Sequence, residues 1–365
     1  MLFLIYRTSA LALAAILITS CATTAPKEEI TLDPLVLRLE KGGKVTLVDA
    51  RPLFQEASKN YKDSKYEEAA RKFRLVIQYF PKSRYVAHAL FNGALADMKL
   101  KRWPDALLLL DRAFPLLKRS RDRWDVRMQM ATCYEELKQW PDAIRAFKDV
   151  LKNGSLHIVD RIEAEVRLGL AYHGIGDLAR AERSFKAALK RYKDNLDIPR
   201  LHGNTYVSQA QYMIGGVYKR LFSVIKFRLP VESMRRDLLD KSAFFLKSQA
   251  AFLRCIRLRN SYYSVAAGFQ LGKLYEDMFD DMMKAEIPGD LDKEELALYY
   301  DELKKHIRPL VERSIEIYER NLGMSDRQGK GSEWAKKTEK SLERMRRVLR
   351  LEFGVKKSEA LRPPK

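Results

Sequence analysis

Lys65-Tyr66-Glu67-Glu68-Ala69, Arg102-Trp103-Pro104-Asp105-Ala106, Gln139-Trp140-Pro141-Asp142-Ala143 and Asp177-Leu178-Ala179-Arg180-Ala181 are four versions of one local pattern. Their closing alanines stand at 69, 106, 143 and 181, steps of 37, 37 and 38 residues. Self-similarity at such a period marks stacked helical units, since one helix pair cannot bury its apolar face alone. The frame around each alanine repeats as well. Leu168-Gly169-Leu170-Ala171-Tyr172 precedes Ala181, and Phe185 and Ala188 follow it. Ala131-Thr132-Cys133-Tyr134 precedes Ala143, with Phe147 behind; Ala57 and Tyr61 precede Ala69, with Phe73 and Pro81 behind. Small residues let two helices approach, and large aromatics fill the space beside them. Pro104 and Pro141 fall one residue into the second helix, where the first-turn N–H has no partner to lose. Strand-like alternation is nearly absent after residue 50, so the class is all-α.

This frame resembles the tetratricopeptide repeat (TPR) family. That family sets a small residue at position 8, an aromatic at 11, an alanine at 20, an aromatic at 24, an alanine at 27 and a proline at 32. Residues 50–195 read as four such units, with 162–195 nearest the pattern. The period is longer than the family's, and Leu110 and Val150 stand where an aromatic and an alanine are usual. The resemblance implies a right-handed superhelical solenoid. Gly215-Gly216-Val217-Tyr218 and Gly272-Lys273-Leu274-Tyr275 repeat the Gly169…Tyr172 signature, each ahead of a long apolar-periodic segment, near 232–258 and 291–322. Two degenerate long-helix units are therefore expected over 203–322. A linker over 323–332, a basic amphipathic capping helix over 333–353 and a disordered tail over 354–365 complete the expected array.

The front end has a different character. Arg7 precedes a short apolar run, Ala10 to Ile18, and then Ile18-Thr19-Ser20-Cys21. The run is too short to span a bilayer and has the shape of a secretory signal over 1–20. Its last four residues resemble the bacterial lipobox, which implies lipidation at Cys21. The polar stretch over 21–34 then reads as a tether, and Ala22 after the cysteine implies the outer membrane, facing the periplasm. Each buried lipid CH₂ contributes roughly 0.8 kcal/mol, so two or three acyl chains anchor stably. Over 35–49, Val36-Leu37-Arg38-Leu39 and Val45-Thr46-Leu47-Val48 alternate around Gly42-Gly43, a hairpin signal. Cys133 and Cys255 remain, three units apart, so a bridge between them is not expected.

Sixty-eight basic against 48 acidic residues leave a net charge of +20. Behind a secretory signal that excess excludes nucleic acid as the expected partner and leaves anionic lipid, lipopolysaccharide phosphates or peptidoglycan carboxylates. Basic residues gather late, in Arg235-Arg236, then Arg254, Arg257 and Arg259, and in the capping segment, where Arg344, Arg346, Arg347 and Arg350 read as a basic surface. Chemistry leaves no trace. The five histidines lack metal-ligand spacing, and neither a nucleophile elbow nor a P-loop appears. Asp277, Asp280 and Asp281 read as the solvated end of a helix. No catalytic residue, metal or cofactor is expected.

In the TPR family the first helices line the inner face, and position 5 of each unit points into it. Carried over, that position gives Phe54, Phe91, Met128, Val166, Tyr212 and Phe269, an apolar ladder for a partner segment. Position 12 adds Tyr61, Met98, Glu135, His173, Lys219 and Glu276. The family's clamp for a C-terminal carboxylate needs Lys and Asn at positions 5 and 9. Phe91 and Leu95, then Met128 and Thr132, stand there instead, so free acidic C-termini are not the expected ligand. The resulting expectation is a lipid-anchored periplasmic scaffold that holds envelope proteins, similar in plan to outer-membrane TPR lipoproteins of assembly machines. Its long second helices and Ser332-Glu333-Trp334 also resemble TPR lipoproteins of the deltaproteobacterial gliding-motility apparatus. The alternative is a tether that binds peptidoglycan or lipopolysaccharide through its basic C-terminal half.

Overall fold

The computed structural model describes residues 36–39, 45–326 and 333–354. The secretory signal, Cys21 and its tether lie outside these residues, as do 327–332 of the expected linker and 355–365 of the tail. Two strands, β1 (Val36–Leu39) and β2 (Val45–Val48), pair antiparallel with Val36 opposite Val48. Everything described after them is helical or connects helices.

Six helix pairs follow in chain order. They are α1 (Ala50–Lys62) with α2 (Tyr66–Tyr79), α3 (Val86–Lys99) with α4 (Trp103–Ala113), and α5 (Ser120–Glu136) with α6 (Trp140–Leu151). Then come α7 (Ile158–Gly174) with α8 (Leu178–Lys193), α9 (Thr205–Val224) with α10 (Val231–Arg257), and α11 (Ser261–Met283) with α12 (Lys293–Asp326). A last helix, α13 (Glu333–Phe353), packs on α11 and α12 as the first helix of a seventh unit would. The array is an all-α, TPR-type superhelix. The expected linker over 323–332 needs one correction: residues 323–326 continue α12, whose buried side runs on through Asn321 to Ser325.

The turn inside each of the first four pairs is one motif used repeatedly. Ser64, Lys101, Lys138 and Gly176 all take the left-handed conformation, with φ of 60°, 59°, 58° and 80°. The amide after each donates back into the last turn of the first helix: Lys65 to Asn60, Arg102 to Asp97, Gln139 to Tyr134 and Asp177 to Tyr172. This is a Schellman ending, and glycine is its natural occupant. Three of the four turns place a side chain there instead, against a local cost of about 1–2 kcal/mol. First-helix starts are fixed by side chains: Asp49, Asn204 and Asn260 each accept a hydrogen bond from an amide of the first turn.

Packing between paired helices rests on the small-residue frame. Ala69, Ala106, Ala143 and Ala181 are all completely buried, as are Phe73, Phe147 and Phe185. A Cβ built on Gly169, Gly215 or Gly272 would lie under 3.0 Å from the ring of Phe185, Phe252 or Tyr318, respectively. The same glycine-under-aromatic contact therefore recurs in pairs four, five and six, which puts the two long pairs in register with the short ones. Where the alanine of position 20 should stand, these long pairs have Ser248 and Ser314. Both are fully buried and donate to the carbonyls of Gly215 (3.0 Å) and Gly272 (3.2 Å). A buried hydroxyl is tolerated because it has this acceptor. Cys255 occupies the small position 27, and both Cys133 and Cys255 are free, buried thiols. Burial pushes each thiol up to about 12, so neither is a nucleophile.

Polar residues inside the array are held by specific partners. Lys241, completely buried on α10, donates to the carbonyls of Phe222 and Ile225 at 2.8 Å and pairs with Asp281 at 2.8 Å. It thereby pins the α9–α10 connection to α11. Burial draws the Lys241 amine below its ordinary range, opposed by Asp281. Asp277, Asp280 and Asp281 are not a solvated helix end, contrary to the sequence-based expectation. Asp277 pairs with Lys219 and Lys273, Asp280 with Arg344, and Asp281 with Lys226 and Lys241. The reason is tertiary: α9, α10 and α13 all bring cations to this one turn of α11.

Candidate functional site

The inner face is lined by α1, α3, α5, α7, α9 and α11. The six ladder residues divide sharply there. Phe54 is half-buried, stacked on Tyr85 (5.3 Å between centroids) and edge-on to Phe73 (5.6 Å). Phe91 packs against the same core. Val166 is completely buried and presents nothing to a ligand, a correction that follows from its short side chain sinking between neighbouring helices. Tyr212 lies among Phe252, Tyr263 and Gln270. Phe269 is covered by Trp334 of α13, with centroids 5.6 Å apart. Val166 is thus the fully buried member; the other five are partly exposed, and Met128 borders a cleft.

That space is a cleft between α5 and α7. Its larger part, about 530 Å³, is bordered by Arg121, Trp124, Asp125, His157, Asp160 and Arg200. A smaller part of about 210 Å³ shares Trp124, Asp125, Leu156 and Asp160 and extends to Met128, Thr132, Glu163 and Arg167. The combined shape is a slot walled by one indole, one thioether, the carboxylates of Asp125, Asp160 and Glu163, and the guanidinium groups of Arg121, Arg167 and Arg200. Its enclosing walls hold the Asp125 carboxyl above the usual carboxylate range against the pull of Arg121, and Asp122 and Asp160 add to the rise.

The floor of the slot is an ion-pair chain that ties three units together. Arg167 donates to Glu135 (2.7 Å) on α5 and to Glu163 (2.9 Å) one turn back on α7. Tyr206 at the start of α9 donates to Glu163 at 2.6 Å. Burial raises the Glu135 carboxyl, and Arg167 only partly offsets it. Burial also opposes the Arg167 charge, but Glu135, Tyr206 and Glu163 together hold its proton more tightly than usual. Position 12 residues therefore differ in role: Glu135 belongs to this chain, whereas Glu276 is 2% exposed and internal. Glu276 accepts from Tyr318 at 2.7 Å, from Lys273 at 2.9 Å and from Arg344 at 2.5 Å.

The basic surface expected on α13 is half consumed. Arg344 pairs with Glu276 and Asp280, and Arg346 with Glu319 at 2.7 Å, so neither is a free surface charge. Both are corrections with one cause: α13 buries Leu342, Met345 and Leu349, and that rotation turns the two arginines toward α11 and α12. Arg347 is exposed and Arg350 half-buried. Trp124, Asp125, Asp160, Arg167 and Tyr206 do not stand out in the sequence. The available signal was position 2 of the same frame, which gives Asp125 and Glu163. Among the described residues no group of three or more His, Cys, Asp or Glu is placed to hold a metal ion, and no helix is long and apolar enough to cross a membrane.

No curated protein matches the chain. Among solved structures, the C-terminal part of a TPR repeat-containing protein from Cytophaga hutchinsonii is 12% identical, with 85% of this chain and 99% of that one covered at a TM-score of 0.45. MamA from Desulfovibrio magneticus RS-1 is 15% identical, with 55% and 94% covered at a TM-score of 0.40. A putative kinesin light chain with TPR-like repeats from Podosopora anserina is also 15% identical, with 55% and 96% covered at a TM-score of 0.40. Residues 125–153 and 163–195, the helices that flank the cleft, match the Tetratricopeptide repeat family.

Proposed function

We propose that this protein is a non-catalytic scaffold that docks partner proteins on its inner face, with the cleft between α5 and α7 as the anchoring point. The observation that carries this reading is the slot itself. There the inner face sets an indole and a thioether beside carboxylates and arginines, on a floor stiffened by the Glu135–Arg167–Glu163–Tyr206 chain. An extended or helical segment presenting a Lys or Arg next to an apolar residue fits such a slot: the cation meets Asp125 and Asp160, and Trp124 offers its ring face. Tetratricopeptide arrays bind partner proteins in this general manner, which supports the reading at the level of class.

The finer proposal adds location. The lipobox-like Ile18-Thr19-Ser20-Cys21 supports a lipid anchor on Cys21, the outer membrane facing the periplasm, and a cell-envelope assembly, secretion or motility complex as the setting. The alternative tether on peptidoglycan or lipopolysaccharide is weakened by the ion pairs of Arg344 and Arg346. Photocrosslinking in cells from a probe at Met128, with Leu108 on an outer surface as control, tests the scaffold. A discrete protein adduct from Met128 that Asp125→Lys abolishes is the expected result. Adducts to glycan or lipid alone would sink it. Palmitate labelling of the wild type and of Cys21→Ser tests the anchor separately.

A further inference from the structure

The second helix of the fifth pair has an apolar face that no described part of the chain covers. On α10, Leu239, Ala243, Leu246, Ala250 and Leu253 succeed one another at intervals of 4, 3, 4 and 3 residues. That is the spacing of a coiled-coil seam, with leucines and alanines sharing its two lines. The leucines are 66%, 61% and 38% exposed. Buried Lys241, Ser248, Phe252 and Cys255 mark the opposite side of the same helix, so the stripe points away from α9 and α11. Leucines standing out beside alanines form alternating knobs and hollows, the shape into which the side chains of one further helix interlock.

The rim of the stripe says which helix. Arg235, Arg236, Lys247, Arg254 and Arg257 border or continue it, all exposed and none in an ion pair among the described residues. On α10 itself the acids beside them are Glu232 at its head and Asp240, and Glu182 of α8 lies near Lys247. This contrasts with α13, whose Arg344 and Arg346 are neutralised by internal carboxylates. We infer that the outer face of α10 is a second docking surface, built for an acidic amphipathic helix of a partner protein. The partner's leucine-sized residues would seat over Ala243 and Ala250, with Asp or Glu flanks facing Arg236, Lys247 and Arg254. A membrane surface would gain nothing from the alanine hollows, and no Trp, Tyr or Phe stands on the stripe to enter lipid headgroups. A second α10 would bring the same surplus of exposed cations against itself. The surface is independent of the cleft between α5 and α7.

The test uses two labelled designed peptides of three heptads, both with leucine at the seam positions, one with Glu flanks and one with Lys flanks. Fluorescence anisotropy against the whole protein should show the Glu peptide binding with Kd on the order of tens of micromolar at physiological salt, a modest affinity for one helix face. Leu246→Asp and, separately, Ala243→Asp should weaken it at least ~10-fold, which corresponds to about 1.4 kcal/mol. Both positions are exposed, so neither change enters the core. Trp124→Ala, in the cleft, should leave it unchanged, which separates this inference from the proposed function. Equal binding of both peptides, or binding that ignores Leu246→Asp, would overturn the assignment. So would no binding at ~1 mM peptide. Sedimentation with anionic vesicles, or self-association in ultracentrifugation, that Leu246→Asp abolishes would also overturn it, in favour of membrane or second copy respectively.

Discussion

Two neighbouring glycines of α9 should respond to the same substitution with opposite signs. Gly215 lies against Phe252: a Cβ there would stand 2.5 Å from the ring, which is completely buried and has no room to turn. Gly216 faces open space, with nothing within 4 Å. Alanine is preferred over glycine inside a helix by about 1 kcal/mol, and the gain applies equally at both positions. The loss of unfolded-chain freedom is also common to both. Gly216→Ala should therefore stabilise the protein by about 0.5–1 kcal/mol. Gly215→Ala gains the same increment but meets an overpacking cost of about 1–3 kcal/mol. The difference between the two variants isolates the steric contribution, since everything else cancels; about 2 kcal/mol is expected.

Urea unfolding followed by circular dichroism gives the comparison. Hydrogen exchange in α9 and α10 should be read alongside it, because long arrays need not unfold in one step. The double variant Gly215→Ala with Phe252→Leu should show a coupling of at least ~0.5 kcal/mol in the favourable direction. Equal stabilities for the two single variants would refute the packing of Phe252 on Gly215. The register that aligns the long pairs with the short ones would fall with it.

Lys241→Met should destabilise by about 2–4 kcal/mol in the same assay: it strips the donor from two carbonyls and leaves Asp281 with Lys226 alone, and adding Asp281→Asn should recover part of the loss. Arg344→Glu, which sets a carboxylate against Glu276 and Asp280, should cost roughly 1–3 kcal/mol, whereas Arg347→Glu should stay within about 0.5 kcal/mol. Lys138→Gly should raise stability by about 0.5–1 kcal/mol, because it relieves a left-handed residue at φ 58°; a loss would contradict that geometry. Burial and then the Arg220 charge hold His173 below its ordinary value of 6.5, so the unfolded chain takes up that proton first. Its contribution is therefore fully present above pH 6.5 and lost as pH falls through the folded pKa; His173→Gln should flatten that slope in urea midpoints taken between about pH 5 and 7.

How far the sequence disclosed this structure depended on whether a position answers to one neighbour or to several. The alanines at 69, 106, 143 and 181 meet chiefly the partner helix of their own pair, so the constraint returns at every unit and shows as a period. Gly215 and Gly272 behave likewise and betrayed the long pairs. Ser248 and Ser314 hid the rest of the frame, since a serine at the alanine position looks like a break until its hydroxyl is seen to reach the glycine carbonyl. The three lysine and serine turns hid in the same way, for nothing in Ser64, Lys101 or Lys138 announces a left-handed residue except the equivalence with Gly176. Position 5 misled because its inward direction was carried over without its depth. Val166 is short enough to vanish between helices, and Phe269 lies beneath Trp334, a residue far along the chain on α13.

Charge shows most clearly why a total cannot be read as a surface. The excess of +20 suggested a basic C-terminal half, yet Arg344, Arg346, Lys241 and Lys273 are all held by carboxylates of α11 and α12. What remains free is arranged by face. The inner slot holds Asp125 and Asp160 beside Arg121 and Arg200, whereas the outer stripe of α10 is rimmed by Arg235, Lys247 and Arg254. Long-range attraction between the +20 chain and a polyanion would be screened beyond about 8 Å at physiological salt. Local contacts on opposite faces are not averaged in this way. A helical array with a mixed-charge slot inside and a basic, leucine-striped ridge outside offers two dissimilar surfaces at once, a capacity that the proposed scaffold would use more than a strong net charge.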